Sequence, residues 1–369
     1  MARLFIGLMS GTSLDGVDAV LADLSQPGQP QWLGHAHRPY ADTLRQALLD
    51  LHHSRPDELH LAQLLGLDLA RLYAGVVHDL LSPHGLGPQD IVAIGVHGQT
   101  IRHLPVIDGG PGYTLQLNQP ALVAELTGIC VVADFRSRDI AAGGQGAPLV
   151  PAFHRALWSD PQSPVAALNL GGIANLSLIA PDPPLLGFDC GPGNMLMDAW
   201  IQRHLGQAYD AQGAWALSGV CHAGLLQSLL SEPYFIWPAP KSTGRDLFHL
   251  GWLDAHLKSF GDLTTADVQA TLLELTARSC IEALLRHMPT PTQLIVCGGG
   301  ALNDTLMHRL AQLCPCPVLS SAQRGLHPCQ VEAAAFAWLA QRAIDGLPGN
   351  EPSVTGAKGP RVLGAIYPA

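Results

Sequence analysis

Positive charge is what this sequence is shortest of. Only 20 Lys and Arg stand against 30 Asp and Glu, the formal net charge is -10, and no Lys/Arg run occurs. Binding along a nucleic-acid backbone depends on clustered cations, so no nucleic-acid partner is expected. Long apolar runs are missing as well; none reaches membrane-spanning length, and no membrane role is expected. Met1 to Leu8 has no basic region and no cleavage site, so no signal peptide is expected. Of 8 Cys only Cys314 and Cys316 come close, which is neither a CxxC pair nor a disulfide framework, and the cytoplasm is the expected compartment. The 17 His form no HExxH and no Cys/His ligand set. GxxxxGK[ST] is absent, and Gly143-Gly-Gln-Gly146 lacks the third Gly and following helix of a dinucleotide fingerprint. Neither Ser10 nor Ser13 sits in a GxSxG elbow, which removes the Ser hydrolase reading.

What is present is apolar and loop-rich. Apolar residues make up 47% of 369, charged residues 14%, and 39 Gly and 29 Pro are scattered without period. That length predicts two packed domains with a ligand cleft between them. Leu4 to Met9 and Val17 to Leu24 flank a Gly/Ser/Thr/Asp turn and read as a β-hairpin, and a similar unit returns at Ala166 to Ala180 around Gly171-Gly172. Helices are predicted at about Leu44 to His53, Pro56 to Leu81, Met195 to Leu205, Thr265 to His287, Ala301 to Leu313 and Val331 to Ile344. Asn194 is the expected N-cap of the third of these, and Asp134 to Pro151 reads as turn-rich. Strands separated by helices, in two halves each led by a hairpin, indicate an α/β protein. The expected division is an N-terminal lobe at 1–140, joined by the 345–369 tail, and a C-terminal lobe at 141–344.

Gly turns carry the chemistry. From Gly11 through Thr12, Ser13, Leu14 and Asp15 to Gly16 the backbone N–H groups are unshielded by bulky side chains, which suits phosphate oxygens, although a hairpin needs such residues too. Val17 and Asp18 continue this segment. Asp15 and Asp18 are suited to orienting a Mg²⁺-bound phosphate through water, since Mg²⁺ takes one or two carboxylates and keeps waters. Gly171-Gly172 and Gly298-Gly299-Gly300 are the matching turns for close backbone approach to a nucleotide. Asp189, at the end of an apolar strand, is the candidate base; a turn-capping Asp is the plainer alternative. Glu332 also suits a first-turn helix charge. Arg136 can fork onto a substrate carboxylate or pair internally with Asp134 or Asp139. His97 offers a polar side chain at a strand end, and Lys241 to Arg245 reads as a cationic loop closing on phosphates or as a solvated loop.

These stretches resemble the anhydro-N-acetylmuramic acid kinase family of the actin/hexokinase-like ATPase superfamily. The resemblance rests on Gly7-Leu-Met-Ser-Gly-Thr-Ser-Leu-Asp-Gly16 with Asp18, Gly95 to Ile101, Val132 to Arg136, Asp139 to His154, Gly187 to Asn194, Lys241-Ser-Thr-Gly-Arg245 and Val296 to Asn303. It implies a ribonuclease H-like fold of two lobes with an interdomain cleft for ATP and sugar. It also implies opening of the 1,6-anhydro ring of 1,6-anhydro-N-acetylmuramic acid by water, with phosphorylation of O6 by ATP, in peptidoglycan recycling. Asp189 takes the place of the family's catalytic Asp, Thr12 and Glu332 fall on sugar contacts, and Gly298 to Ala301 would face adenosine. Arg136 is our own choice for the lactyl carboxylate. A homodimer is implied. The rival readings are another ATP-dependent sugar kinase, or a nucleotide-gated binding protein, of the same fold.

Overall fold

Alternation along the first strand sets up the first half of the molecule. In a computed structural model, which describes residues 2–11, 14–182 and 184–369, β1 (Leu4–Met9) is buried on both faces. Leu4, Ile6 and Leu8 join a core with Val76 and Val77 of the helix Glu58–Leu81, while Phe5 on the opposite face joins Phe336, Ala337 and Ala340 of the helix Val331–Ile344. Gly7 shares the Phe5 face, and a β-carbon there would run into the Ala333 carbonyl. The absent side chain is what lets the second helix lie so close to the strand.

β1 pairs antiparallel with β2 (Gly16–Asp23), which pairs antiparallel with β3 (Gln31–Pro39). On its other side β1 runs parallel to β4 (Ile91–Val96). A separate hairpin follows, β5 (Gln99–Ile107) with β6 (Gly110–Leu117), and then β7 (Val131–Ala133) runs parallel to β4 and receives the tail strand Ala365–Tyr367 antiparallel.

The second half repeats this plan. β8 (Val165–Leu170) pairs antiparallel with β9 (Ala174–Ile179), and β9 with β10 (Leu186–Gly191); β11 (Gln293–Cys297) lies parallel to β8, and β12 (Val318–Ser320) parallel to β11. The sheet orders are β3-β2-β1-β4-β7, with the tail strand added at the β7 edge as a sixth, and β10-β9-β8-β11-β12. Apart from that tail strand, each is an antiparallel meander of three followed by two parallel strands on the far side of the first, which is the ribonuclease H-like arrangement, so the α/β, actin/hexokinase-like class expected from the sequence holds.

The chain divides into two compact units, Met1–Leu157 with Gln330–Ala369, and Trp158–Cys329. The first unit thus runs past 140 and takes the chain back at 330 instead of 345. Packing explains both shifts. Phe153, on the helix Val150–Trp158, meets Trp32 and Trp338 at ring-centroid distances of 6.1 and 5.9 Å, and the helix Val331–Ile344 covers the first sheet. The stretch read as turn-rich, Asp134 to Pro151, contains the short helix Ser137–Ala141 and runs into the start of the helix Val150–Trp158.

Candidate functional site

In the first unit the hairpin turn is anchored from below. Ser10 Oγ donates to the Gly98 carbonyl at 2.9 Å and lies 3.0 Å from the Tyr73 hydroxyl, while Gln99 Nε2 donates to the Gly11 carbonyl at 3.1 Å. Tyr40 Oη donates in turn to Gln99 Oε1 at 3.2 Å. Thr12 and Ser13 lie outside the described residues. Leu14 and Val17, expected among the phosphate contacts, bury their side chains in the core, so only their backbone is available to a ligand. Asp15 is exposed; Asp18 is half-buried, and its Oδ1 accepts from His35 Nε2 at 2.9 Å and His37 Nδ1 at 3.1 Å on β3.

Beside this turn stand His97, Arg136 and Glu332. The Nε and Nη2 of Arg136 donate to His97 Nε2 at 3.2 and 2.9 Å, and Nη1 donates to the Gly146 carbonyl at 2.8 Å. His97 Nδ1 then carries the proton and donates to the Ser10 carbonyl at 3.3 Å. Burial, and then the Arg136 charge, lower the His97 pKa to about 3, so the ring is neutral. Both nitrogens of this residue, expected at the substrate, are engaged within the protein, one by the Ser10 carbonyl and one by Arg136. The guanidinium, lowered by burial to about 10, is still cationic. Of its five N–H groups, three are used in these contacts, which leaves two to meet a carboxylate. The internal ion pairs considered for Arg136 do not form. Asp139 instead accepts from Asn350 Nδ2 at 2.6 Å, Thr355 Oγ1 at 2.8 Å and the Gly146 N–H at 2.8 Å, and Asp134 accepts from Ser137.

Glu332 is brought here by the helix that begins at Val331 and lies against Gly7 and Gly95. Burial raises its carboxyl pKa, Arg136 opposes that, and Asp18 and Asp15 add to it. The structure thus brings His97, Arg136, Glu332 and the Asp15–Asp18 segment near one another, which the sequence did not show.

In the second unit Asp189 stands on β10 opposite Asn175, beside an irregularity in the pairing before Gly191. Its carbonyl accepts from Tyr234 Oη at 2.7 Å, its N–H donates to the Lys241 carbonyl at 3.0 Å, and Oδ2 accepts from the Thr243 N–H at 3.0 Å. Burial raises the carboxyl pKa to about 6, against the pull of the Thr243 N–H. Such a group is half poised to take a proton near neutral pH. Lys241, in the loop read as closing on phosphates or as solvated, donates its ammonium to the Tyr234 and Phe235 carbonyls at 2.7 and 3.2 Å. Tyr234 carried no sequence signal, since it lies in an apolar stretch.

The Gly turns of this unit meet one another. Gly298 has φ 79°, and a β-carbon there would fall 2.7 Å from the Leu170 carbonyl, immediately before Gly171 and Gly172. Gly300 packs on the Leu170 side chain, while Gly299 is exposed with open space around it. Asn194 makes no side-chain cap; its Nδ2 donates to the Leu170 carbonyl at 3.0 Å and its N–H to the Gly171 carbonyl at 2.8 Å, tying down the same turn. Asn303 caps the helix Asp304–Leu313 instead, accepting from the Leu306 N–H at 2.9 Å.

Residues 3–369 match the family described as anhydro-N-acetylmuramic acid kinase. The chain belongs to that family. It is 57% identical to the anhydro-N-acetylmuramic acid kinase of Variovorax paradoxus, covering 100% of this chain and 99% of that one. To the kinase of the same name from Pseudomonas putida it is 54% identical, covering 99% of each. Among solved structures it is similar to component A of (R)-2-hydroxyglutaryl-CoA dehydratase from Acidaminococcus fermentans, at a TM-score of 0.49 and 9% identity, covering 91% of this chain and 96% of that one. In this kinase no helix among the described residues is long and apolar enough to cross a membrane.

Proposed function

We propose that this kinase opens the anhydro ring with Asp189 as the base. The activity is that of its family: ATP-dependent phosphorylation of 1,6-anhydro-N-acetylmuramic acid, giving N-acetylmuramic acid 6-phosphate and ADP in peptidoglycan recycling. Asp189 takes a proton from water as the water oxygen bonds to C1. The C1–O6 bond breaks, O6 bonds to the γ-phosphorus, and the bond from that phosphorus to the β-bridging oxygen breaks to release ADP. Positioning and charge stabilisation supply most of the rest.

The observation that carries this reading is the Asp189 carboxylate itself: half-buried, raised to about 6, with one oxygen held by the Thr243 N–H. Arg136 binds the lactyl carboxylate through its two remaining N–H groups, His97 holds that guanidinium in place, and Glu332 contacts the sugar. Gly11 to Gly16, with Val17 and Asp18, together with Gly171 and Gly172, cradle phosphates by backbone, and Gly298 to Gly300 line the adenosine. Thr12 serves sugar or phosphate.

Among the described residues no three His, Cys, Asp or Glu side chains gather to hold a metal ion, and Asp18 Oδ1 is already on two His. Hard carboxylate oxygens at Asp15 and Asp18 fit Mg²⁺ held through its waters. When bound, the ion offsets phosphate charge. A homodimer in the cytoplasm completes the reading. Asp189→Asn tests it: sugar-dependent ADP release should be lost with ATP binding kept, and wild-type turnover in that variant would refute the assignment.

A further inference from the structure

Three backbone contacts fix Asp189, and all involve a short segment of the second unit. The Asp189 N–H donates to the Lys241 carbonyl, the Thr243 N–H donates to Oδ2, and Tyr234 Oη donates to the Asp189 carbonyl. The Lys241 ammonium then closes a ring. It donates to the Tyr234 carbonyl at 2.7 Å and the Phe235 carbonyl at 3.2 Å, and sits 4.4 Å from the centroid of the Tyr234 ring. So the Lys241 side chain holds Tyr234, Tyr234 holds the Asp189 backbone, and Asp189 holds the Lys241 backbone. Arg286 Nη1 braces the same turn from the helix Thr265–His287, donating to the Phe235 carbonyl at 2.6 Å.

Resting on the reading of Asp189 as the base, we propose that Lys241 is a positioning residue for that base and not a ligand of phosphate. Clamped on Tyr234, it keeps the 241–243 segment against β10, so that the Thr243 N–H occupies Oδ2 and leaves Oδ1 for the reacting water. Among the described residues nothing hydrogen-bonds to Oδ1.

The titratable and charged groups around the carboxylate are Cys190, Tyr234, Lys241, Asp246, Arg286 and His287. Burial keeps the Cys190 thiol and the Tyr234 phenol protonated, and burial with the Arg286 charge lowers Lys241 and His287. The Thr243 N–H favours the ionised carboxylate, so releasing the clamp lets that donor withdraw and raises the Asp189 pKa.

The test compares the full-length wild type with Lys241→Met, Lys241→Arg and Tyr234→Phe in an ADP-release assay across pH. Lys241→Met should lower kcat by about tenfold or more, because small misplacements of a base are costly. The acidic limb of kcat/KM should move up by about half a pH unit or more, with KM for ATP within about twofold of wild type. Lys241→Arg, which keeps a donor, should recover most of the rate. Tyr234→Phe removes one link of the ring without altering charge and should reproduce the kcat loss if Lys241→Met does not fold. A rise in KM for ATP with kcat and the acidic limb unmoved would make Lys241 a phosphate ligand and overturn the proposal; so would no change at all. Asp189→Asn, assayed alongside, separates the two ideas: if it turns over normally, the base assignment itself has failed, whatever Lys241→Met does.

Discussion

Arg136 spends two donors, Nε at 3.2 Å and Nη2 at 2.9 Å, on the same nitrogen of His97. A guanidinium does this only beside a neutral imidazole, and the Ser10 carbonyl fixes that tautomer from the other side. The planar fork is therefore held in one orientation by the protein itself. Arg136→Lys replaces the fork by a point charge. KM for the anhydro sugar should rise by about tenfold or more, with KM for ATP little changed, in steady-state kinetics that vary each substrate in turn.

The pH profile follows from Asp189. With Asp189 as the proposed base, its carboxyl pKa, raised from 3.8 to about 6, makes kcat/KM climb as pH rises through about 6 and level off above, since such a base works ionised. Stability runs the other way. A carboxyl whose folded pKa is raised gives stability that is complete below 3.8 and lost as pH rises through about 6. Asp189→Asn should accordingly be more stable than wild type at alkaline pH, by on the order of 2 kcal/mol, with the gap closing toward acid. Denaturant titrations at the two extremes measure it.

Much of this was legible in the sequence because the signals were local. The helices Met195–Leu205, Thr265–His287 and Val331–Ile344 carry a clear apolar period, and β4 and β11 are short apolar runs bounded by turns. The Gly turns marked where backbone approaches closely. What stayed hidden was long-range. β3 pairs a half-exposed strand with β2 and reads as polar, and the hairpin β5–β6 is exposed on much of its surface. The contacts of His97 and Lys241 could not be read either, because a partner such as Arg136 or Tyr234 is chosen by the fold and not by neighbours in sequence. Asn194 has the residue type of an N-cap, yet its Nδ2 donates to the Leu170 carbonyl and its side chain accepts no helix N–H.

Gly7 tests how Glu332 is delivered. A β-carbon at Gly7 would collide with the Ala333 carbonyl, in backbone that cannot yield as a side chain does. Gly7→Ala should destabilise the protein by at least about 1–3 kcal/mol, the cost of overpacking a core, and should raise KM for the sugar as the start of the helix is pushed away. Chemical denaturation and kinetics on the same preparation read both effects.

Gly299 gives the converse case. Nothing lies within 4 Å of a β-carbon there. Gly299→Ala should leave the melting temperature nearly unchanged, yet raise KM for ATP by about threefold to tenfold if adenosine needs that space. An unchanged KM would remove this turn from the nucleotide site.

In the proposed reaction water attacks the sugar while O6 takes the phosphoryl group. Turnover of 1,6-anhydro-N-acetylmuramic acid in ¹⁸O-labelled water, quenched early and analysed by mass spectrometry, measures this directly. The label should appear once in N-acetylmuramic acid 6-phosphate, at the C1 hydroxyl, with none in its phosphate. Label in the phosphoryl group, or an unlabelled sugar, would rule this reaction out.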